Sequence, residues 1–280
     1  MDWRPAEAWE DFESSPLAGT AAVYDPLLRR SPVVRIPADG VPGGAKHDFV
    51  GILGFDEVAK AAADFSSFSS VTTEECPWIV PLQSDPPEHA KYRRGLDRYF
   101  QAAAVSRLES EVRPFCEEMV GAMVAAGRAD YATEFSGPFP TRVLCRFLGL
   151  PDEDWKFHHD WVMAMEQQTG DGLADDRVAV PTELAERILP YVREIVASRR
   201  AEPGDDIVTG MVDLEIEGRP LDEEGVCYML ITFMMGGHIT TSSAIGSLAL
   251  RLATQPGLQA LLRAEPERIP DAVEIGRAHV

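Results

Sequence analysis

A long apolar run between Val226 and Ser243 lies within the segment from Asp222 to Ala253, which is predicted to form a single helix. At about 1.5 Å per residue this helix would be about 48 Å long, which is enough to cross a whole domain. An apolar helix of that length normally forms the spine of a core, because its surface must be covered by other elements. The rest of the chain is therefore expected to pack around it.

Two adjacent glycines, Gly236 and Gly237, interrupt this helix, and Thr240 and Thr241 follow one turn later. Each glycine in a helix costs about 1 kcal/mol relative to alanine, so the pair gives up about 2 kcal/mol that packing or function must offset. The glycines leave a shallow groove, and threonine hydroxyls beside it can bond back to carbonyls of the preceding turn. The pattern predicts either a groove for water or a small ligand, or a close helix crossing over small residues.

The composition narrows the class of protein. With 280 residues, 45% of them hydrophobic, the chain can bury the core of one large domain or two ordinary ones. Its net charge of −20 argues against nucleic acid or an anionic membrane as a partner. The four cysteines are too scattered for a metal clip or a disulfide framework, and no signal peptide is visible. We therefore expect a soluble cytoplasmic protein.

Local patterns predict a mainly helical fold with a small N-terminal β-sheet. Strands are expected at Pro32–Ile36 and Phe49–Leu53, a loop from Val71 to Ser84, and a hairpin around Glu217-Gly218. The predicted helices are Phe55–Ala63, a helix from Pro87 onward, Val105–Ala126, Phe139–Leu148, Asp152–Gln168, Pro181–Ala201, Asp222–Ala253 and Leu258–Ala264.

A second motif, Asp85-Pro86-Pro87-Glu88-His89, opens the helix that starts near Pro87. Asp85 is placed to cap this helix, and prolines suit a first helical turn. His89 and Arg93 lie four residues apart on one face, where an imidazole and a guanidinium can bind a carboxylate together. The alternative is a solvated surface pair. The stretch from His89 to Arg98 is net basic in an acidic chain, which predicts one local anion site.

Together, the two motifs resemble the cytochrome P450 family of haem-thiolate monooxygenases, particularly the soluble bacterial members that receive electrons from a ferredoxin. The resemblance runs from about residue 33 to residue 274. The stretch from Asp85 to Arg93 is similar to the family's C-helix, and Gly236 to Thr241 is similar to the oxygen groove of its I-helix. Weaker matches lie at Phe135–Pro140, Leu148–Pro151 and Pro266–Pro270. The resemblance implies a cytochrome P450-like helical fold, haem b, dioxygen and a hydrophobic small-molecule substrate.

The resemblance also implies roles for the residues of the two motifs. Thr240 would be catalytic, because it holds the water or hydroxyl that delivers protons to dioxygen. Gly236 and Gly237 would leave room for that dioxygen above the haem. His89 and Arg93 would bind a haem propionate.

Further roles concern the substrate and the redox partner. Trp78, Thr232 and Met235 fall where similar proteins have substrate-pocket walls, although core packing is an equal alternative. A ferredoxin-type partner would dock on the basic helix face, for which a merely solvated face is the alternative. The candidate contacts are Lys91, Arg94 and Arg98.

The sequence departs from the family's pattern at the proton relay and at the iron ligand. Ile239 stands where an acidic residue commonly precedes the catalytic threonine, and His238 is a candidate substitute, with core packing as the alternative. In the family, the cysteine that ligates iron lies in a glycine-rich loop near the C-terminus. None of the four cysteines lies in such a loop, so we assign no metal ligand and expect the chain as given to be inactive.

The last residues also depart from the family's K-helix. We predict that residues 1–274 form the N-terminal part of a single cytochrome P450 domain and that residues 275–280 are a non-native tail, translated from sequencing adapter. Two rival hypotheses remain at this point. One is a non-catalytic helical ligand-binding module, which Ile239 supports, and the other is a degraded gene fragment.

Overall fold

The computed structural model describes residues 24–40, 47–71, 80–169 and 182–277. These residues are mostly helical, as predicted, and their contacts divide them into two compact units. The first unit comprises residues 24–40, 47–71, 82–89 and 166–169, and the second comprises residues 80–81, 90–165 and 182–277. Within these ranges, no helix combines the length and the apolar character needed to cross a membrane. The single domain expected from the sequence stays a prediction.

The first unit contains the predicted N-terminal sheet. Strand β1 (Val33–Ile36) pairs antiparallel with β2 (Phe49–Ile52), and Val34 lies opposite Gly51. Val34 is 1% exposed and packs over Gly51, where an added Cβ would lie 2.9 Å from Val34 Cγ2. Helix α1 (Phe55–Ala63) follows β2 with the predicted bounds. Residues 24–30 are also helical.

Asp85 does not cap the next helix with its side chain, contrary to the prediction. Helix α2 spans Glu88–Leu96, so it begins one residue after Pro87. The Asp85 carboxylate instead accepts hydrogen bonds from Ser69 Oγ (2.5 Å) and from the Ser70 backbone N–H (2.8 Å), which lower its pKa. A carboxylate bound to these two donors holds the preceding loop rather than the helix N-terminus.

Eight further α-helices follow α2 in the part of the chain that the structure describes. Six of them agree with the predicted bounds to within three residues, and no bounds were predicted for the helices Ile207–Val212 and Ile269–Arg277. Residues 152–154 form a 3-10 turn before the fifth helix, and Pro181 lies outside the described residues. The predicted hairpin is present as β3 (Glu215–Ile216) and β4 (Arg219–Pro220). The helices are α3 (Ala102–Ala126), α4 (Pro138–Leu148), α5 (Trp155–Thr169), α6 (Thr182–Ala201), α7 (Ile207–Val212), α8 (Glu223–Thr254), α9 (Pro256–Ala264) and α10 (Ile269–Arg277).

Helix α8 is the spine of the second unit, as the sequence predicts. Its N-terminus is capped by Asp222, whose carboxylate accepts a hydrogen bond of 2.7 Å from the Gly225 backbone N–H. The helix packs against α4, α6, α7, α9 and α10. Met229, Leu230 and Met234 are fully buried at these contacts. Burial of a continuous apolar surface explains why this segment stays helical despite its two glycines.

Helix α10 runs from Ile269 to Arg277 and so crosses the boundary predicted at residue 274. The proposed origin of residues 275–280 as a non-native tail stays a prediction.

Candidate functional site

Helix α8 has one buried and one open face around its glycines. Leu230, Met234 and His238 are buried, and they follow one another at the four-residue spacing of a single helix face. The opposite stripe is Thr232, Gly236 and Thr240, of which Gly236 and Thr240 are exposed and Thr232 is partly exposed. The predicted groove residues therefore lie on a surface that the rest of the second unit leaves uncovered.

The hydroxyl of Thr240 bonds back to the preceding turn, as predicted. Thr240 Oγ1 donates a hydrogen bond of 2.8 Å to the carbonyl oxygen of Gly236. Thr232 Oγ1 makes the same kind of bond, 2.9 Å long, to the carbonyl of Tyr228. A Cβ added at Gly236 would meet nothing within 4 Å. On the open face, the Thr240 hydroxyl can therefore exchange the Gly236 carbonyl for another hydrogen-bond partner. The space beside it, at Gly236, is not filled by a side chain.

The two glycines have different surroundings. A Cβ added at Gly237 would lie 2.8 Å from Leu144 Cδ1 of helix α4, which is closer than van der Waals contact. Gly237 therefore permits the close helix crossing that the sequence left open as the alternative. Gly236 fits the groove interpretation, and the roles of both glycines in binding a cofactor stay predictions.

His238 lies on the buried face and points away from Thr240. Its Nε2 donates a hydrogen bond of 3.2 Å to the carbonyl oxygen of Gly137 and lies 3.2 Å from Nδ1 of His159. Burial, together with the adjacent His159, lowers the pKa of His238 to about 4, so the ring is neutral near pH 7. Residues 238 and 240 are about 200° apart around a helix. The packing alternative for His238 is therefore correct, and its suggested role in proton delivery to the groove is wrong.

His89 and Arg93 lie four residues apart on α2, as predicted. Arg93 is exposed, its Nε donates a hydrogen bond of 3.0 Å to Asp97 Oδ1, and its guanidinium lies 5.3 Å from the centre of the Phe100 ring. The Phe100 ring lies 5.9 Å from that of Phe233 on α8. The structure thus brings Arg93 beside the spine helix through one aromatic side chain. The joint carboxylate clamp stays a prediction.

His89 lines a cavity of about 570 Å³ within the first unit. Asp85 is the acidic residue of its lining. The large apolar residues of its lining are Ile52, Val58, Phe65, Phe68 and Leu82. A mainly apolar cavity with an imidazole at its edge suits an apolar ligand that carries a polar group.

The basic residues of α2 face acidic residues of the same unit. An open cavity of about 560 Å³ is lined by Lys91 and Arg94 of α2 and by Arg98 of the 3-10 turn that follows it. Three acidic residues line the same cavity, and one of them, Glu217, forms an ion pair with Lys91 in which Nζ and Oε1 are 2.6 Å apart. The sequence did not predict these acidic neighbours, because the hairpin that carries Glu217 is more than a hundred residues away along the chain. The three residues are Asp213, Glu215 and Glu217.

Of the predicted substrate contacts, Thr232 and Met235 are partly exposed on α8, and Trp78 lies outside the described residues. Each described cysteine has a raised pKa. Burial raises the pKa of Cys145 to about 12 and that of Cys227 to about 11, and it also raises the pKa of Cys116. These thiols are therefore protonated near neutral pH.

Comparison with known proteins gives relatives but no matching family model. The chain is 32% identical over 194 residues to the mycinamicin IV hydroxylase/epoxidase of Micromonospora griseorubida. This alignment covers 69% of this chain and 48% of that protein. It is 28% identical over 249 residues to cytochrome P450 130 of Mycobacterium tuberculosis, and this alignment covers 83% of this chain and 60% of that protein.

A solved structure shows the same fold. CYP108D1 from Novosphingobium aromaticivorans aligns with a TM-score of 0.78 and 24% identity over 99% of this chain and 71% of that chain. The chain spans about half to three fifths of the length of these two curated relatives. The shared fold and these relatives show that the chain belongs to the cytochrome P450 family, and membership of that family implies a haem iron cofactor.

Proposed function

We propose that the chain belongs to a bacterial haem-thiolate monooxygenase that inserts one oxygen atom from dioxygen into a hydrophobic small molecule. The main support for this proposal is the open face of α8, which contains Thr232, Gly236 and Thr240. On it, the Thr240 hydroxyl lies one turn from unfilled space at Gly236, and Phe100 connects Arg93 to the same helix. The curated relative from Micromonospora griseorubida is named a hydroxylase/epoxidase, which favours the enzyme over the non-catalytic binding module.

The residues on these helices fit a haem. Arg93 and His89 are donors suited to the carboxylates that haem carries, and they share one side of α2. A Cβ added at Gly236 would meet nothing within 4 Å, so that no described residue blocks the approach of a bound group to this position. Haem b, when bound, supplies the activation of dioxygen, while the protein positions the reactants and excludes water. Its thiolate ligand is expected from a cysteine other than those described above.

The chain's own residues would bind the reactants and move protons. Gly236 would leave room for dioxygen, whereas Gly237 would act mainly through its contact with Leu144. Thr240 Oγ1 would release the Gly236 carbonyl and hold a water or pass a proton into the groove. Thr232 and Met235 would contact the substrate. Because Ile239 brings no carboxylate, the proton must reach Thr240 through water rather than through its sequence neighbour.

Trp78 remains a candidate for the same substrate contact.

The remaining parts of the proposal concern partners and location. A ferredoxin-type protein would deliver electrons at the basic face of α2, formed by Lys91 and Arg94 together with Arg98 of the 3-10 turn that follows the helix. A net charge of −20 disfavours nucleic acid and anionic membranes as partners. We propose a cytoplasmic location, which the four cysteines support because they are too scattered in the sequence for a disulfide framework.

The test is a haem titration, read from the Soret absorbance, and a carbon monoxide difference spectrum of the protein expressed from its whole reading frame. We expect the spectrum of a thiolate-ligated haem. Arg93→Gln should weaken haem binding about tenfold, because it removes a charge-assisted hydrogen bond to a carboxylate. Arg94→Gln is the matched control and should leave haem affinity within about twofold, since its side chain points to another side of α2. A protein that takes up no haem would refute the proposal.

A further inference from the structure

The hairpin β3–β4 places an unusual residue in its turn. Glu217 and Gly218 form the two-residue connection, with φ of 54° and 75°. Positive φ at both positions is the signature of a type I′ turn, in which asparagine, aspartate and glycine are preferred. A glutamate in this left-handed conformation is disfavoured, because its Cβ crowds the backbone. Something other than the turn itself must favour glutamate at this position.

The favourable interaction is the ion pair with Lys91. Glu217 Oε1 lies 2.6 Å from Lys91 Nζ, and the side chains are 73% and 22% exposed, respectively. The hydrogen bond and the charge of Lys91 lower the pKa of Glu217. A carboxylate of this chain therefore already contacts one of the cations proposed to receive a partner.

The hairpin is held close to α2 by packing at its base. A Cβ added at Gly95 would clash with Leu214, and the Leu221 backbone N–H donates a 2.9 Å hydrogen bond to the Leu214 carbonyl. Arg94 and Arg98 line the same cavity as Glu215 and Asp213. The cavity thus pairs the cations of α2 with carboxylates of the chain itself, in the way that an acidic protein surface would pair with them.

We propose that Glu217 is an intrachain competitor for the basic face of α2, so that the hairpin β3–β4 lowers the affinity of this face for an acidic protein partner. The inference rests on the proposed ferredoxin docking and adds its regulation. A partner carboxylate must displace Glu217 from Lys91, which reduces affinity and favours partners that carry several clustered carboxylates over those with a single acidic residue.

The experiment measures the dissociation constant of an acidic plant-type [2Fe–2S] ferredoxin for the whole 280-residue chain. An ionic strength near 0.1 M screens charges beyond about 10 Å, so that distant acidic residues contribute little. Glu217→Gln should tighten binding about threefold, in line with the strength of exposed ion pairs. Glu217→Asn should act in the same direction, and asparagine also suits the turn, which guards against a loss of fold.

Glu215→Gln is the matched control. It lies in the same hairpin and cavity and changes the net charge equally, whereas the carboxylate in the ion pair with Lys91 is that of Glu217. It should change the dissociation constant less than about 1.5-fold, because only long-range repulsion is altered. In a chain that already carries Lys91→Gln, the gain from Glu217→Gln should disappear.

Three results would overturn the inference, and they are distinguishable. Equal effects of Glu217→Gln and Glu215→Gln, with clear binding by the unmodified chain, would refute competition by Glu217 and leave ferredoxin docking intact. A gain from Glu217→Gln that persists with Lys91→Gln would show that the ion pair is not its cause. Absence of binding by every variant would refute docking on α2, and the competition with it.

Discussion

The buried and open faces of α8 come from the same stretch of sequence but have different neighbours. On the buried face, Met234 and His238 are enclosed by other elements, and Gly237 touches Leu144 of α4. On the open face, Gly236 has no neighbour within 4 Å of an added side chain, and Thr240 bonds only within its own helix. The difference shows that Gly237 is needed for the packing of α8 against α4, whereas no packing contact restricts Gly236.

The largest effect is expected from the two adjacent methionines. Met234 is fully buried, whereas Met235 is partly exposed. Met234→Ala should lower the free energy of unfolding by about 3 kcal/mol, because it removes buried surface and leaves a cavity. Met235→Ala, its control on the other face, should lower it by about 1 kcal/mol. Urea unfolding followed by circular dichroism measures both, and equal losses would contradict the two-faced description.

The next effect is a loss of stability in acid that depends on His238. Its folded pKa of about 4 lies below the reference value of 6.5, so the unfolded chain binds a proton that the folded chain does not. Stability should therefore be complete above about pH 6.5 and fall as the pH drops, with about 2 kcal/mol lost at pH 5 through this residue. His158, whose pKa burial also lowers to about 4, should add a similar loss.

His238→Gln should remove its share of this pH dependence. Urea titrations at pH 7.5 and pH 5 would give the difference between the two free energies of unfolding. His47→Gln, at an exposed position, is the control for the replacement of a histidine by glutamine. A pH dependence that His238→Gln does not reduce would show that His238 is not buried and neutral in the folded protein.

Alanine substitutions at Gly236 and Gly237 should change the free energy of unfolding in opposite directions. Gly236→Ala should raise the free energy of unfolding by about 1 kcal/mol, because alanine favours a helix and the site is open. Gly237→Ala should lower it by about 1 kcal/mol, since contact with Leu144 outweighs the same gain in helix propensity. Thermal or urea unfolding of the two variants gives the sign of each change in the free energy of unfolding. Each variant is the control for the other. Two increases would mean that α4 does not restrict Gly237.

The smallest effect on stability is expected from Thr240→Val. The Thr240 side chain is exposed, so loss of its hydroxyl should change the free energy of unfolding by less than about 0.5 kcal/mol. Thr141→Val, at a buried threonine that donates to Gly137, should cost about 1 kcal/mol. In the protein from the whole reading frame, Thr240→Val should lower oxygenation about 100-fold. A stable variant with undiminished oxygenation would remove Thr240 from the proposed mechanism.

Much of the local structure was predictable because it depends on near neighbours. The spacing of apolar residues indicated α8 and its role as the spine, and the back-bond of Thr240 follows from a threonine four residues after an available carbonyl. The hairpin turn at Glu217-Gly218 was likewise predictable from the local sequence. The side-chain cap by Asp85 was wrong, because Ser69 and Ser70 come from a preceding loop and compete for the same carboxylate.

The environment of each site residue depended on residues far away along the chain. Gly137 lies 101 residues from His238, and His159 lies 79 residues from it. Lys91 and Glu217 are 126 residues apart. Such contacts form only when helices pack, and the order of residue types along one segment contains no direct signal for them.

By itself, the sequence determined the helical class, the long spine helix, the two motifs of the cytochrome P450 family and the position of the hydroxyl at Thr240. These follow from helix periodicity and local hydrogen bonding, which extend over about one turn. Only the tertiary structure decided that Gly237 serves the helix crossing, that His238 is a buried neutral base and that Lys91 is paired with Glu217. Burial and charge pairing depend on which distant segments meet, and only the folded chain brings those segments together.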